Sequence, residues 1–89
     1  MSKEWCYTTK SINEAMKDDP DFAIELLKII KRYWQKDWGD ISDDDKKRNK
    51  KALKSKEMVR ALYNTSKGKI YIITDAGHQA TTILFASEY

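Results

Sequence analysis

The sequence predicts one small α+β domain over residues 1–89, an N-terminal strand and two to three helices packed on a three- to four-stranded antiparallel sheet. Three observations carry this expectation. Lys69 to Asp75 (KIYIITD) and Ala80 to Phe85 (ATTILF) are the densest runs of β-branched and aromatic residues, the types that fit a pleated, half-buried surface. Between Asp21 and Gln35, Phe22, Leu26, Ile29, Ile30 and Tyr33 recur at spacings of three and four, as on one face of a helix. With 89 residues, the chain hides only roughly 60–65% of its unfolded surface, enough for one modest core.

In chain order, Trp5 to Thr9 favours a strand, and Ser11-Ile12-Asn13-Glu14 has capping-box spacing for a short helix ending near Lys17. Asp18-Asp19-Pro20 then offers a cap and a proline suited to the first position of the main helix. Ala23, Leu27 and Trp34 are expected to widen its apolar stripe, leaving Glu25, Lys28, Lys31, Arg32 and Gln35 on a solvated face. Asp37-Trp38-Gly39-Asp40-Ile41 has no helical period. Trp38 is expected to plug the core edge, with Gly39 turning the chain beneath it. Ser42 caps a third helix running to about Ser55, anchored by Ala52 and Leu53. Met58 to Asn64 reads as a strand, and Thr65-Ser66-Lys67-Gly68 turns it into the central one. Asp75-Ala76-Gly77-His78-Gln79 reverses the chain again, completing a three-stranded meander. Phe22, Leu26, Ile30, Ile72, Trp38 and Gly39 are the expected structural residues.

The 17 basic and 14 acidic residues leave a net charge of +3, too mild to specify nucleic acid. The distribution says more: Ser42 to Glu57 holds seven basic and four acidic residues, an excess equal to that of the whole chain. Lys46, Lys50 and Lys54 share one ridge of that helix and Lys47 and Lys51 the next, a pattern able to follow phosphates. Against this stands the ordinary role of such charges, with aspartates at the helix start and lysines later complementing its dipole; no aromatic residue interleaves the lysines in sequence to stack on bases. On the central strand, Ile70 and Ile72 point to one face and Tyr71 and Ile73 to the other. Tyr71 and Ile73 are therefore candidates for a partner-binding patch together with Lys46, Lys47, Lys50, Lys51 and Lys54.

No catalytic residues, cofactor or metal are expected. Asp37, Asp40, Asp43, Asp44 and Asp45 are dense, but neither the glycine nor the final glutamate of a calcium loop falls in place. Cys6 is expected as a small buried thiol and His78 as a solvated turn residue, so one of each specifies no zinc site or dyad. One cysteine, an opening MSKEWCYTTK without an apolar core, and no run long enough to span a bilayer point to a soluble, cytosolic protein. A chain this short seldom holds both a stable core and a deep dry cavity, which favours binding over catalysis.

Lys36-Asp37-Trp38-Gly39-Asp40, Asn49 with Ala52-Leu53, Arg60 and Tyr63, Ile70-Tyr71-Ile72-Ile73-Thr74, Thr81-Thr82-Ile83-Leu84-Phe85 and Glu88-Tyr89 together resemble the pattern of a family of short proteins carried by bacterial plasmids, integrative elements and prophages. The likeness covers about Ile12 to Tyr89 and brings no established activity. This chain departs from the mostly acidic family in Lys46 to Lys56. Small proteins of mobile elements often block host defence, so the resemblance implies an anti-CRISPR or anti-restriction inhibitor whose partner is a bacterial protein or ribonucleoprotein effector. The alternatives are direct nucleic-acid binding through residues 46–56 and an uncharacterised enzyme.

Overall fold

The element order in the computed structural model, which describes residues 5–89 and only the backbone of Trp5, is β1 (Trp5–Thr8), α1 (Lys10–Asp18), α2 (Pro20–Trp34), α3 (Asp43–Ser55), β2 (Val59–Thr65), β3 (Gly68–Thr74), β4 (Ala80–Phe85) and a closing 3-10 turn, Ala86–Glu88. This is a small α+β domain, as the sequence predicts. Strands β2, β3 and β4 form the expected antiparallel meander. The sheet as a whole is mixed, in the order β1-β4-β3-β2, because β1 lies parallel to β4. A parallel neighbour needs a long crossover rather than a hairpin, and the three helices between β1 and the meander provide the length.

The helix boundaries follow their caps. Thr9, rather than Ser11, caps α1, its hydroxyl accepting from the Ile12 amide at 3.3 Å, so the helix starts at Lys10, ahead of the start that the capping-box spacing implies. Asp19 caps α2 through the amides of Asp21 and Phe22, and Pro20 occupies the first turn, where its missing N–H costs nothing. Ser42 caps α3 through Asp45, and Lys56 ends it in the left-handed region at φ 57°.

One face of the sheet is covered by α1 and α2. Ile12, Phe22, Leu26, Ile29 and Tyr33 meet Val59, Ala61, Tyr63, Ile70, Ile72 and Ile83 in a single core, with Ile30, Ile41 and Phe85 packed at its margin. Each large apolar side chain so buried contributes roughly 1.5–3 kcal/mol relative to exposure. Trp38 joins this core at 6% exposure.

Two residues expected to widen the α2 stripe do not. Leu27 is 66% exposed and Trp34 45% exposed, because they lie off the arc defined by Phe22, Leu26, Ile29 and Tyr33. Glu25 is not simply solvated either. Its carboxylate accepts from the Ser66 amide at 3.1 Å and the Ser66 hydroxyl at 2.8 Å, tying α2 to the β2–β3 turn. Lys67 adds an ion pair to Asp19 at 3.6 Å. Among the described residues no helix is long and apolar enough to cross a membrane.

Candidate functional site

The segment Asp37 to Asp40 acts as a short extra strand along the free edge of β2. The Leu62 amide donates to the Trp38 carbonyl at 3.2 Å, and the Asp40 amide donates to the Leu62 carbonyl at 2.8 Å. Gly39 is obligatory here. It sits at φ +73°, and a Cβ on it would lie 2.1 Å from the Leu62 carbonyl oxygen. One step along the same edge, the buried Asn49 side chain does for Arg60 what a strand would do. Its Nδ2 donates to the Arg60 carbonyl at 2.9 Å and its Oδ1 accepts from the Arg60 amide at 3.4 Å. Asn64 is bonded to Asp40 in turn. Together these contacts blunt an edge that would otherwise offer unpaired backbone groups to another chain.

A clamp fixes the start of the segment. The Arg32 guanidinium donates to Asp37 from Nε at 2.7 Å and from Nη2 at 3.3 Å, the Gly39 amide reaches the same carboxylate at 3.2 Å, and the Tyr63 hydroxyl donates to the Asp37 carbonyl at 2.6 Å. The Arg32 hydrogen bond holds the Asp37 carboxyl below its usual range, and the same bond raises Arg32. Burial pushes the Tyr63 phenol well up, so it stays a neutral donor.

At its other end α3 is held by the β3–β4 turn. The Gly77 amide donates to the Lys56 carbonyl at 2.6 Å, and His78 Nε2 donates to the Glu57 carbonyl at 2.7 Å. His78 is therefore a half-buried brace, not the solvated turn residue expected. Cys6 is exposed on edge strand β1 rather than buried, and partial desolvation pushes its thiol up, away from the reactive thiolate. Among the described residues no cluster of histidine, cysteine and carboxylate side chains could hold a metal.

Fixing α3 at both ends creates a hollow between it and the end of α2. Tyr33, Trp34, Lys36, Trp38, Leu53, Val59, Thr74 and His78 line a cavity of about 180 Å³. Behind it runs a buried hydroxyl chain, Tyr33 to Thr74 to Thr81, the last step being 2.8 Å. Trp34 stands edge-on to Tyr33, ring centroids 5.2 Å apart. Lys36 and Trp38 also belong to an adjoining groove of about 450 Å³, lined further by Asp37, Asp43, Lys46, Lys47 and Lys50. Lys50, Lys51 and Lys54 continue from that groove around Leu53, back to the rim of the hollow. Four lysines thus face two carboxylates in the groove, and one of those, Asp37, is committed to Arg32.

All five predicted lysines border this continuous surface. The predicted Tyr71 and Ile73 do not. Ile73 is buried at 9% exposure, and the Tyr71 ring lies 4.9 Å from that of Tyr89, with the Arg60 guanidinium 5.7 Å from each. Arg60 also donates to the Tyr89 hydroxyl at 3.1 Å, and Glu88 closes the turn by accepting from the Phe85 amide at 2.8 Å and the Thr9 hydroxyl at 3.0 Å. The opposite sheet face is therefore partly covered by the chain's own C-terminal turn. Sequence reasoning missed Trp34, Lys36, Leu53, Thr74 and His78 as neighbours of the lysines. The available signal was the off-stripe register of Trp34 on α2. Comparison with protein-family models, curated proteins and solved structures finds no match to this chain.

Proposed function

We propose that this protein is a non-enzymatic binding module that holds nucleic acid on the lysine face of α3. The observation that carries the reading is the continuity of the lysine groove with the aromatic hollow through Lys36 and Trp38. It removes the main objection raised by the sequence, the want of aromatic rings among the lysines. Trp34, 45% exposed, comes from a different segment and lines the hollow that adjoins the lysine groove, beside the buried Trp38. Ammonium groups along a ridge neutralise phosphates and release counterions, and the aromatic wall adds apolar contact that salt does not screen. The purified protein is expected to retard labelled DNA or RNA at micromolar concentration in low salt. Replacing Lys46, Lys47 and Lys50 by glutamine should lower the salt slope by about 0.7 per lost phosphate contact on a single strand. Absence of retardation would end this reading.

A second reading, inhibition of a host nucleic-acid-targeting defence complex, is supported by the resemblance to mobile-element proteins. On that reading the lysine face meets an acidic surface of the effector and speeds encounter, so Lys50→Glu should slow association, most at low salt. Tyr71, half-buried on the other sheet face, is the corresponding aromatic anchor, and Tyr71→Ala should speed dissociation. Phage challenge of cells with active CRISPR or restriction systems tests it; unchanged interference in the native host's systems counts against it.

A further inference from the structure

We infer that the hollow between α2 and α3 is a base pocket, so that the nucleic acid on the lysine groove is single-stranded and inserts one nucleobase beside Trp34. The inference rests on the nucleic-acid reading above and narrows its ligand. Size comes first. At about 180 Å³ the hollow is smaller than the ~300–1,000 Å³ clefts that enclose whole drug-sized ligands, so it suits a single planar ring system and leaves any attached sugar and phosphate outside. Its walls come second. Trp34, 45% exposed, supplies the open aromatic face and Leu53, 37% exposed, the aliphatic one, while the buried Tyr33, Trp38, Val59 and Thr74 form the floor and Lys36 and His78 add polar groups, a lining on which a flat, weakly polar ring can stack.

Its surroundings decide the class of ligand. The hollow opens onto Lys36 and the groove of Lys46, Lys47 and Lys50. A free aromatic metabolite or an aromatic side chain has no need of a row of ammonium groups outside its pocket. A polynucleotide brings a phosphate with every base, so a strand with one base in the hollow carries its neighbouring phosphates onto the lysines. A duplex does not fit this arrangement, because its bases are stacked and paired and must be unstacked before one can enter. Trp34, half exposed beside the hollow, is the ring best placed to stack on the entering base.

The test compares three fluorescent ligands of equal length at low salt: a single-stranded oligonucleotide, the same backbone with abasic sites, and a duplex. The base-bearing single strand is expected to bind about fivefold or more tighter than the abasic strand, the low end of what stacking on an aromatic ring gives. Trp34→Ala should narrow that ratio to within about twofold. Leu53→Trp, which fills the hollow and leaves every lysine in place, should do the same and guards against a folding effect of the first variant. If base-bearing and abasic strands bind equally while the lysine-dependent salt slope persists, the pocket is refuted and the lysine groove stands. If the duplex binds tightest, the single-strand assignment is refuted. If no strand binds, both readings fall.

Discussion

Gly39 and Asn49 have no part in chemistry, yet the arrangement of the site depends on them. A methyl group at Gly39 meets a backbone oxygen at 2.1 Å, and the left-handed φ adds strain. Gly39→Ala should therefore destabilise the protein by about 3 kcal/mol or more in urea melts, near the top of the range for single substitutions. Asn49→Ala strands both backbone groups of Arg60 in a partly buried place, for an expected loss of about 2–4 kcal/mol by the same measurement. Trp38→Ala removes a ring that is 6% exposed and should cost about 3–5 kcal/mol; melts coinciding with wild type would make it a surface residue. Trp38 was legible in advance, because a tryptophan in an aperiodic loop of a small domain has few stable places other than the core edge. Asn49 was not. In a run of lysines and aspartates a polar residue looks solvated, and only the nearness of the β2 edge makes its amide a surrogate for a strand.

The apolar period of α2 located the helix and its buried arc, but it did not tell a wide stripe from two faces. Leu27 and Trp34 are apolar and on the helix, yet the sheet is reached by only about a third of its circumference, so they remain in solvent. The meander was readable from β-branched runs and turns, whereas the parallel docking of β1 was not, since four residues carry no mark of the direction of their neighbour. The loop between α2 and α3 is held by ionisable groups, and this gives it a pH signature. Asp37 is lowered by Arg32, so its contribution is present above the ordinary carboxylate range near pH 3.8 and is lost as pH falls through the lowered value. The effect should be modest because both partners are about half exposed, and Asp37→Asn should abolish it in acid melts. Tyr63 acts at the other extreme. Below pH 10 it is protonated in both states and contributes no pH dependence. Above pH 10 the unfolded phenol ionises while the buried one resists, so stability should fall with rising pH, and Tyr63→Phe should flatten that limb.

Across the whole molecule the two candidate surfaces are separate. The Arg60, Tyr71 and Tyr89 cluster closes the C-terminal turn over one sheet face, while the lysines of α3 share a groove with Lys36 and Trp38, through which it joins the hollow beside Trp34. The lysine ridge was evident in the sequence; its aromatic neighbours were not, because they reach it through the fold of residues 33–40 rather than through helical spacing. The central claim is that this second surface is where nucleic acid binds. Its most direct test is a titration of isotope-labelled protein with a short single-stranded oligonucleotide, following backbone amides and tryptophan indoles by NMR. The account predicts shifts concentrated at Lys36, at residues 46–54, and at the Trp34 and Trp38 indoles, with Arg60, Tyr71 and Tyr89 unmoved. Shifts confined to Arg60, Tyr71 and Tyr89, or no shifts at all at saturating oligonucleotide in low salt, would contradict it.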